Sequence, residues 1–144
     1  MKQQTAMRAL RVWLVVGGVS LLAALVGVFM PFSWMDAAHR WMDLGPIPSA
    51  GIVEYLARAL SAMYAMLGGL FLICAADPVR LAAVVTYALI SVAAVAIGML
   101  MILSLTRPEL VPWIAADAIS ASVYAAVGLF LQRAARVGPG SAAA

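Results

Sequence analysis

The stretch that decides the fold is EYLARALS, residues 54–61, after which no charged residue occurs before Asp77. This stretch opens an apolar segment at about residues 52–76. A helix of that length can cross the ~30 Å hydrocarbon core of a bilayer. Arg58 therefore places a full positive charge near the start of a predicted membrane span. Because ionisable groups inside a span are costly, such a residue is usually paired or functional. The partner of Arg58 is the first question that the sequence raises.

The composition of the whole chain favours a membrane protein. Of its 144 residues, 66% are hydrophobic and 10% are charged, whereas soluble domains have about 25% charged residues. A soluble fold of this size would have too little polar sequence to cover its outside. The formal net charge of +3 is small, and no nucleic-acid partner is predicted. The single cysteine, Cys74, excludes a disulfide within the chain.

Four apolar segments are predicted to cross the membrane, at about residues 12–30, 52–76, 79–105 and 112–131. Together they predict an all-α fold, an integral membrane four-helix bundle that forms a single domain over residues 1–137. Residues 138–144 are expected to be a disordered cytoplasmic tail. A basic stretch before the first segment also resembles a secretory signal, but bulky residues follow where a cleavage site needs small ones. An uncleaved first span is therefore expected.

Residues 31–51 are the longest polar segment, and they are predicted to contain a short interfacial helix in the first outer loop. Ser33 and Asp36 have the spacing of a capping box. Apolar side chains, two tryptophans among them, recur on one helical face, and charged ones fall on the other. Gly45-Pro46 should end the helix. His39 is the only histidine, so an interfacial or partner-contacting role is predicted rather than a metal or haem site.

The positive charges predict the orientation of the four spans. An even number of spans puts both termini on one side, which also carries Lys2, Arg8, Arg11, Arg80, Arg133 and Arg136. The other side has three arginines, at positions 40, 58 and 107, and most of the acids. The positive-inside rule then predicts cytoplasmic termini in the bacterial inner membrane.

Asp117 is the other ionisable residue that we consider to lie within a span. Like Arg58, it lies near the predicted outer end of its helix. Arg58 has a stem long enough to reach the headgroups, whereas Asp117 must find a donor, hold a proton or face water. We therefore predict that Arg58 forms an ion pair with Glu54, Asp117 or both. Such a pair could fix which helices face each other, or it could bind a substrate, an ion or a proton.

Small and polar residues are predicted to form a seam below each charge. The seam below Arg58 is Ser61, Ala65 and Gly69, with Tyr64 beside it, and the seam below Asp117 is Ser120, Tyr124 and Gly128. Small residues on one face let membrane helices approach closely. Residues 58–72 and 117–131 are identical at seven of 15 positions, either through internal duplication or through chance similarity of apolar sequence. A duplication would place Arg58 opposite Asp117.

The sequence shows no phosphate-binding loop, no nucleophile with a neighbouring base, and no Cys/His cluster with metal-ligand spacing. No catalytic residue, metal or cofactor is therefore predicted.

Two short motifs carry a resemblance to a known family. The first span ends in Phe29-Met30-Pro31, and in the second an arginine precedes Ser-Ala-x-Tyr-Ala-x-x-Gly-Gly, within residues 58–69. In these features and in its four-span layout, the chain resembles the small bacterial membrane proteins of the DoxX-like kind. The resemblance implies a four-helix fold, and some members are linked to quinone or thiosulfate oxidation as accessory subunits. This chain has no cysteine pair for such redox chemistry.

Three functions remain open from the sequence. The first is a non-enzymatic accessory or assembly subunit, with membrane lipid and other membrane subunits or a second copy as partners. The alternative is a small transporter or binding protein for a polar or anionic solute, with Arg58 as the anchor and Asp117 as its proton-sensitive partner. The third is a membrane enzyme that acts on a lipid or a quinone in an outer cavity.

Overall fold

The computed structural model describes residues 3–136, which are helical almost throughout. The helices are α1 (Gln3–Leu22), α2 (Leu25–Phe29), α3 (Phe32–Trp41), α4 (Gly51–Ala76), α5 (Ala82–Thr106) and α6 (Val111–Arg136), with a 3-10 turn at Pro108–Leu110. Four stretches are long and apolar enough to cross a membrane: Gln3–Phe29, Gly51–Ala76, Ala82–Thr106 and Pro108–Arg136. The prediction of an all-α fold with four long apolar helices is confirmed, and these helices indicate a multi-pass membrane protein. The expected tail, residues 138–144, lies outside the described residues.

The first helical segment starts earlier than the predicted span and is interrupted within it. α1 begins at Gln3 rather than near residue 12, because the basic stretch contains no proline or glycine that would end a helix. The segment is also interrupted at residues 23–24, where the Ala24 and Gly27 N–H groups bond the carbonyl three residues back, at 3.1 and 2.9 Å. This tighter 3-10-type winding separates α1 from α2.

The connection from α4 to α5 is a side-chain-stabilised turn. The Asp77 Oδ1 accepts the Arg80 N–H, three residues on, at 3.0 Å, which is the bond that a capping side chain makes. α5 begins only at Ala82, with no side-chain cap at Leu81. At the other end of the chain α6 continues to Arg136, beyond the predicted end at residue 131.

Contacts divide the chain into two compact units. The central unit is residues 15–73, and the described part of the terminal unit is residues 3–14 and 74–136. The terminal unit buries Leu10, Leu14, Val85, Leu89 and a series of alanines on α1, α5 and α6. On α6, a Cβ at Gly128 would lie 2.7 Å from Leu89 Cδ1, so the α5 leucine packs directly over the glycine.

Within the central unit, α1 and α4 approach each other through glycine. A Cβ built on Gly68 would lie 2.6 Å from both Gly18 O and Leu22 N. The two backbones therefore touch, which is how glycine promotes close packing of membrane helices. Gly69, the glycine expected in the seam, has no atom within 4 Å of its Cβ position. The packing glycine is thus one residue away from the predicted one.

Large apolar side chains remain exposed along every long helix, for example Val12, Met66, Val95 and Ile119. Exposed apolar surface on this scale exceeds the patches that soluble monomers present to water. The hydrocarbon core of a bilayer would cover it.

Candidate functional site

Arg58 lies in the third turn of α4 and donates to two acceptors in the central unit. Its Nε and Nη2 lie 3.1 and 2.7 Å from Glu54 Oε1, one turn earlier on the same helix. Its Nη1 donates to the carbonyl oxygen of Val28. Val28 belongs to the last turn of α2, where carbonyl groups have no intrahelical partner. Arg58 therefore neutralises Glu54 and also satisfies a helix end.

The Arg58 site retains capacity for a further contact. The side chains of Arg58 and Glu54 are 30% and 38% exposed. A guanidinium has five N–H donors, and the contacts to Glu54 and Val28 use three of them. The arrangement can thus hold α2 against α4, and among the described residues of the central unit two N–H donors of Arg58 have no acceptor and could contact an anion.

Asp117 lies on α6 in the terminal unit, and its side chain is exposed. Its backbone carbonyl accepts the Ser120 hydroxyl at 3.0 Å. Within the described part of the terminal unit, no hydrogen bond or ion pair reaches its carboxylate. Arg58 and Asp117 belong to different units, and their pairing stays a prediction.

The four predicted polar seam residues lie in unlike surroundings. Ser61 is half-buried, and its Oγ would be 2.6 Å from a Cβ on Gly27, so it packs closely against α2. Tyr64 and Ser120 are exposed, whereas Tyr124 is half-buried. The helical spacing that grouped these residues therefore does not give them one environment.

Tyr124 forms a close pair with Trp13, a residue that the sequence did not single out. The Tyr124 hydroxyl donates to the Trp13 carbonyl oxygen at 3.1 Å, and the Trp13 indole Nε1 donates to the Tyr124 carbonyl oxygen, also at 3.1 Å. Their rings are stacked, with centroids 5.0 Å apart. A tryptophan inside a predicted span is the only sequence signal for this contact between α1 and α6.

Polar side chains also close the loop after α3. Asp36 Oδ1 accepts the Ile47 N–H at 2.8 Å, and its Oδ2 accepts the Arg40 Nε–H at 2.8 Å. The bond from Ile47, followed by that from Arg40, lowers the pKa of the Asp36 carboxyl below its ordinary value of 3.8. Ser33 makes no capping bond, since α3 begins at Phe32 after Pro31. Asp36 therefore ties the loop to the helix rather than completing a capping box.

His39, in the last turn of α3, bonds the same loop. Its Nδ1 lies 2.7 Å from Gly45 O. Because a carbonyl oxygen can only accept, Nδ1 carries the hydrogen. The loop turns through Asp43 and Gly45, both with positive φ, at 60° and 76°. His39 thus orders the loop, and its contact with a partner stays a prediction.

Gln132 is a buried polar residue that sequence reasoning missed. It is 4% exposed, and its Oε1 accepts the Thr86 hydroxyl at 2.8 Å. Its Nε2 donates to the Ala82 carbonyl oxygen at 2.7 Å. The residue follows the predicted end of the fourth span, where a glutamine is expected to face water. The longer α6 turns it against α5 instead.

Among residues 3–136, no group of three or more His, Cys, Asp or Glu side chains is placed to hold a metal ion. No protein-family model, no curated protein and no solved structure matches the chain.

Proposed function

We propose that the protein is a non-catalytic accessory or assembly subunit of a complex in the bacterial inner membrane, with both termini in the cytoplasm. The observation that carries this proposal is the surface of α3. Trp34 and Trp41 on this helix are 66% and 87% exposed. Aromatic residues of this kind are enriched at the centres of protein interfaces, and they also lie at headgroup level in membranes.

The loop bonds of α3 support a role in binding. Asp36 and His39 hold the loop at Ile47 and Gly45, so α3 has a defined end and a fixed return path to α4. A surface that is ordered before binding loses less entropy when a partner docks.

The topology in the proposal rests on charge. Arg8, Arg11, Arg80, Arg133 and Arg136 all belong to the side of the termini, and the positive-inside rule assigns that side to the cytoplasm. α3 then faces outward. Separately from the topology, the resemblance to DoxX-like proteins, some of which are accessory subunits, supports the proposed role as an accessory subunit.

The test is the size of the complex that the full-length protein forms in its native membrane. A tagged protein is extracted in mild detergent and its mass is measured by native electrophoresis, with Trp41→Ala as the variant. Trp113→Ala is the matched control, since Trp113 is also an exposed tryptophan but lies on α6. We expect Trp41→Ala alone to release the isolated protein. If the wild-type protein always migrates alone, the proposal is wrong.

The alternative is a small transporter or binding protein for a polar or anionic solute. It is favoured by the two donors of Arg58 that Glu54 and Val28 leave unused, on a side chain that is 30% exposed. In that case Arg58→Leu and Asp117→Asn should each abolish uptake in vesicles while the helical circular-dichroism signal is retained. Loss of folding in Arg58→Leu would instead indicate a structural role.

A further inference from the structure

A cleft opens at one end of the terminal unit, where three segments of the chain meet. Its volume is about 250 Å³. The wall is formed by the start of α1, the turn from α4 to α5, and the last turn of α6. Met7, Leu10, Pro78 and Val79 supply the apolar part of the wall. Because these segments are the ends of predicted spans, the cleft lies at the level where acyl chains meet headgroups.

The polar part of the wall comes from Gln3, Gln132 and Arg136. Gln3 Nε2 donates to the Ala135 carbonyl oxygen at 3.0 Å, which ties α1 to the end of α6. Gln132 in turn ties α6 to α5 through Ala82 and Thr86. The cleft is therefore held in shape by hydrogen bonds between helices.

One of the two side-chain amide hydrogens of Gln132 has no acceptor among the described residues of the terminal unit. Gln132 is 96% buried, since its exposed fraction is 4%. Its Nε2 carries two hydrogens, and one of them is donated to Ala82 O. Within the described part of the terminal unit the second has no acceptor. A buried N–H without an acceptor is costly, and a ligand oxygen in the cleft would remove that cost.

The charge around the cleft is positive. Arg136 is part of the wall, and the same end of the unit carries Arg8, Arg11, Arg80 and Arg133. Among the described residues of the terminal unit, Asp77 is the acid at this end, and one of its carboxylate oxygens accepts the Arg80 backbone N–H. Basic clefts between membrane helices favour anionic lipid headgroups.

We propose that this cleft binds the phosphate of an anionic phospholipid. The Arg136 guanidinium pairs with the phosphate oxygens, a contact that suits its planar fork. The free Nε2 hydrogen of Gln132 bonds a phosphate or ester oxygen. The first methylenes of the acyl chains lie against Met7, Leu10, Pro78 and Val79. The site is independent of α3 and of the function proposed for it.

The experiment is native mass spectrometry of the full-length protein in detergent, titrated separately with phosphatidylglycerol and phosphatidylcholine. The variant is Arg136→Gln. The matched control is Arg133→Gln, one turn earlier on α6, which removes the same charge from outside the cleft. Both arginines are exposed, so neither change should disturb folding. Inorganic phosphate forms a third arm.

We expect phosphatidylglycerol to bind more tightly than phosphatidylcholine. Arg136→Gln should weaken it about tenfold, and Arg133→Gln should weaken it less than about threefold. Equal binding of the two lipids would overturn the proposal, and so would equal losses in the two variants. If inorganic phosphate displaced the lipid at equal concentration, the site would recognise free phosphate and the lipid assignment would be wrong.

Discussion

Trp13 and Tyr124 each donate a side-chain hydrogen bond to the other's backbone carbonyl oxygen, at 3.1 Å in both directions. Each carbonyl oxygen thereby accepts a side-chain hydrogen bond in addition to the bond within its own helix. The two rings are stacked, so no other side chain lies between them. Because the two bonds are reciprocal, α1 and α6 can meet in only one register at this level. This pair fixes the terminal unit more specifically than the alanine contacts around it do.

The Tyr124 hydroxyl should therefore contribute measurably to stability. Tyr124→Phe removes the bond to Trp13 O and keeps the stack, and we expect the free energy of unfolding in detergent to fall by about 0.5–1.5 kcal/mol. Tyr87→Phe is the control, since Tyr87 is exposed on α5. Denaturation by sodium dodecyl sulfate, followed by circular dichroism, gives the two values. Equal effects would show that the bond adds nothing.

Two neighbouring glycines on α4 should respond oppositely to the same substitution. Gly68→Ala places a methyl group 2.6 Å from the α1 backbone, which cannot move aside as a flexible side chain would. We expect a loss of about 1–3 kcal/mol in unfolding free energy. Gly69→Ala meets no atom within 4 Å and should leave stability unchanged or raise it by up to about 1 kcal/mol. Similar melting curves for both variants would contradict the backbone contact.

Arg58 should stabilise the central unit through Glu54 and Val28. Arg58→Leu removes both contacts, and we expect the free energy of unfolding to fall by about 1–3 kcal/mol. Asp117→Asn is the comparison, and it should change stability little if Glu54 is the acid that Arg58 needs. Equal losses in the two variants, both restored by exchanging the two charges, would instead demonstrate an Arg58–Asp117 pair.

Asp36 should make the loop after α3 sensitive to acid. Because its folded-state pKa is lowered, its contribution to stability is complete above the ordinary value of 3.8 and is lost as the pH falls through the lowered pKa. The amide resonance of Ile47, which donates to Asp36, should titrate with a midpoint below 3.8 in nuclear magnetic resonance spectra. Asp36→Asn should abolish that titration. A midpoint above 3.8 would contradict the bond.

The sequence by itself determined the class of the fold and the approximate spans. Sixty-six per cent hydrophobic residues and four long apolar segments indicate a membrane protein, because a water-soluble fold of this size could not bury that much apolar surface. It also identified Arg58 and Glu54 as neighbours, since residues four apart on a helix face the same way. These properties depend on composition and local spacing alone.

Only the tertiary structure decided which side chains meet between helices. Gly68 rather than Gly69 touches α1. The two glycines are adjacent in the sequence, so the rotation of α4 about its axis decides which of them faces α1. Val28 became an acceptor for Arg58 only because α2 ends beside α4, and Gln132 became a buried residue only because α6 runs past its predicted end. Helical periodicity defines the faces of a helix. Which helix packs against each face depends on side-chain packing and on hydrogen bonds between residues far apart in the chain.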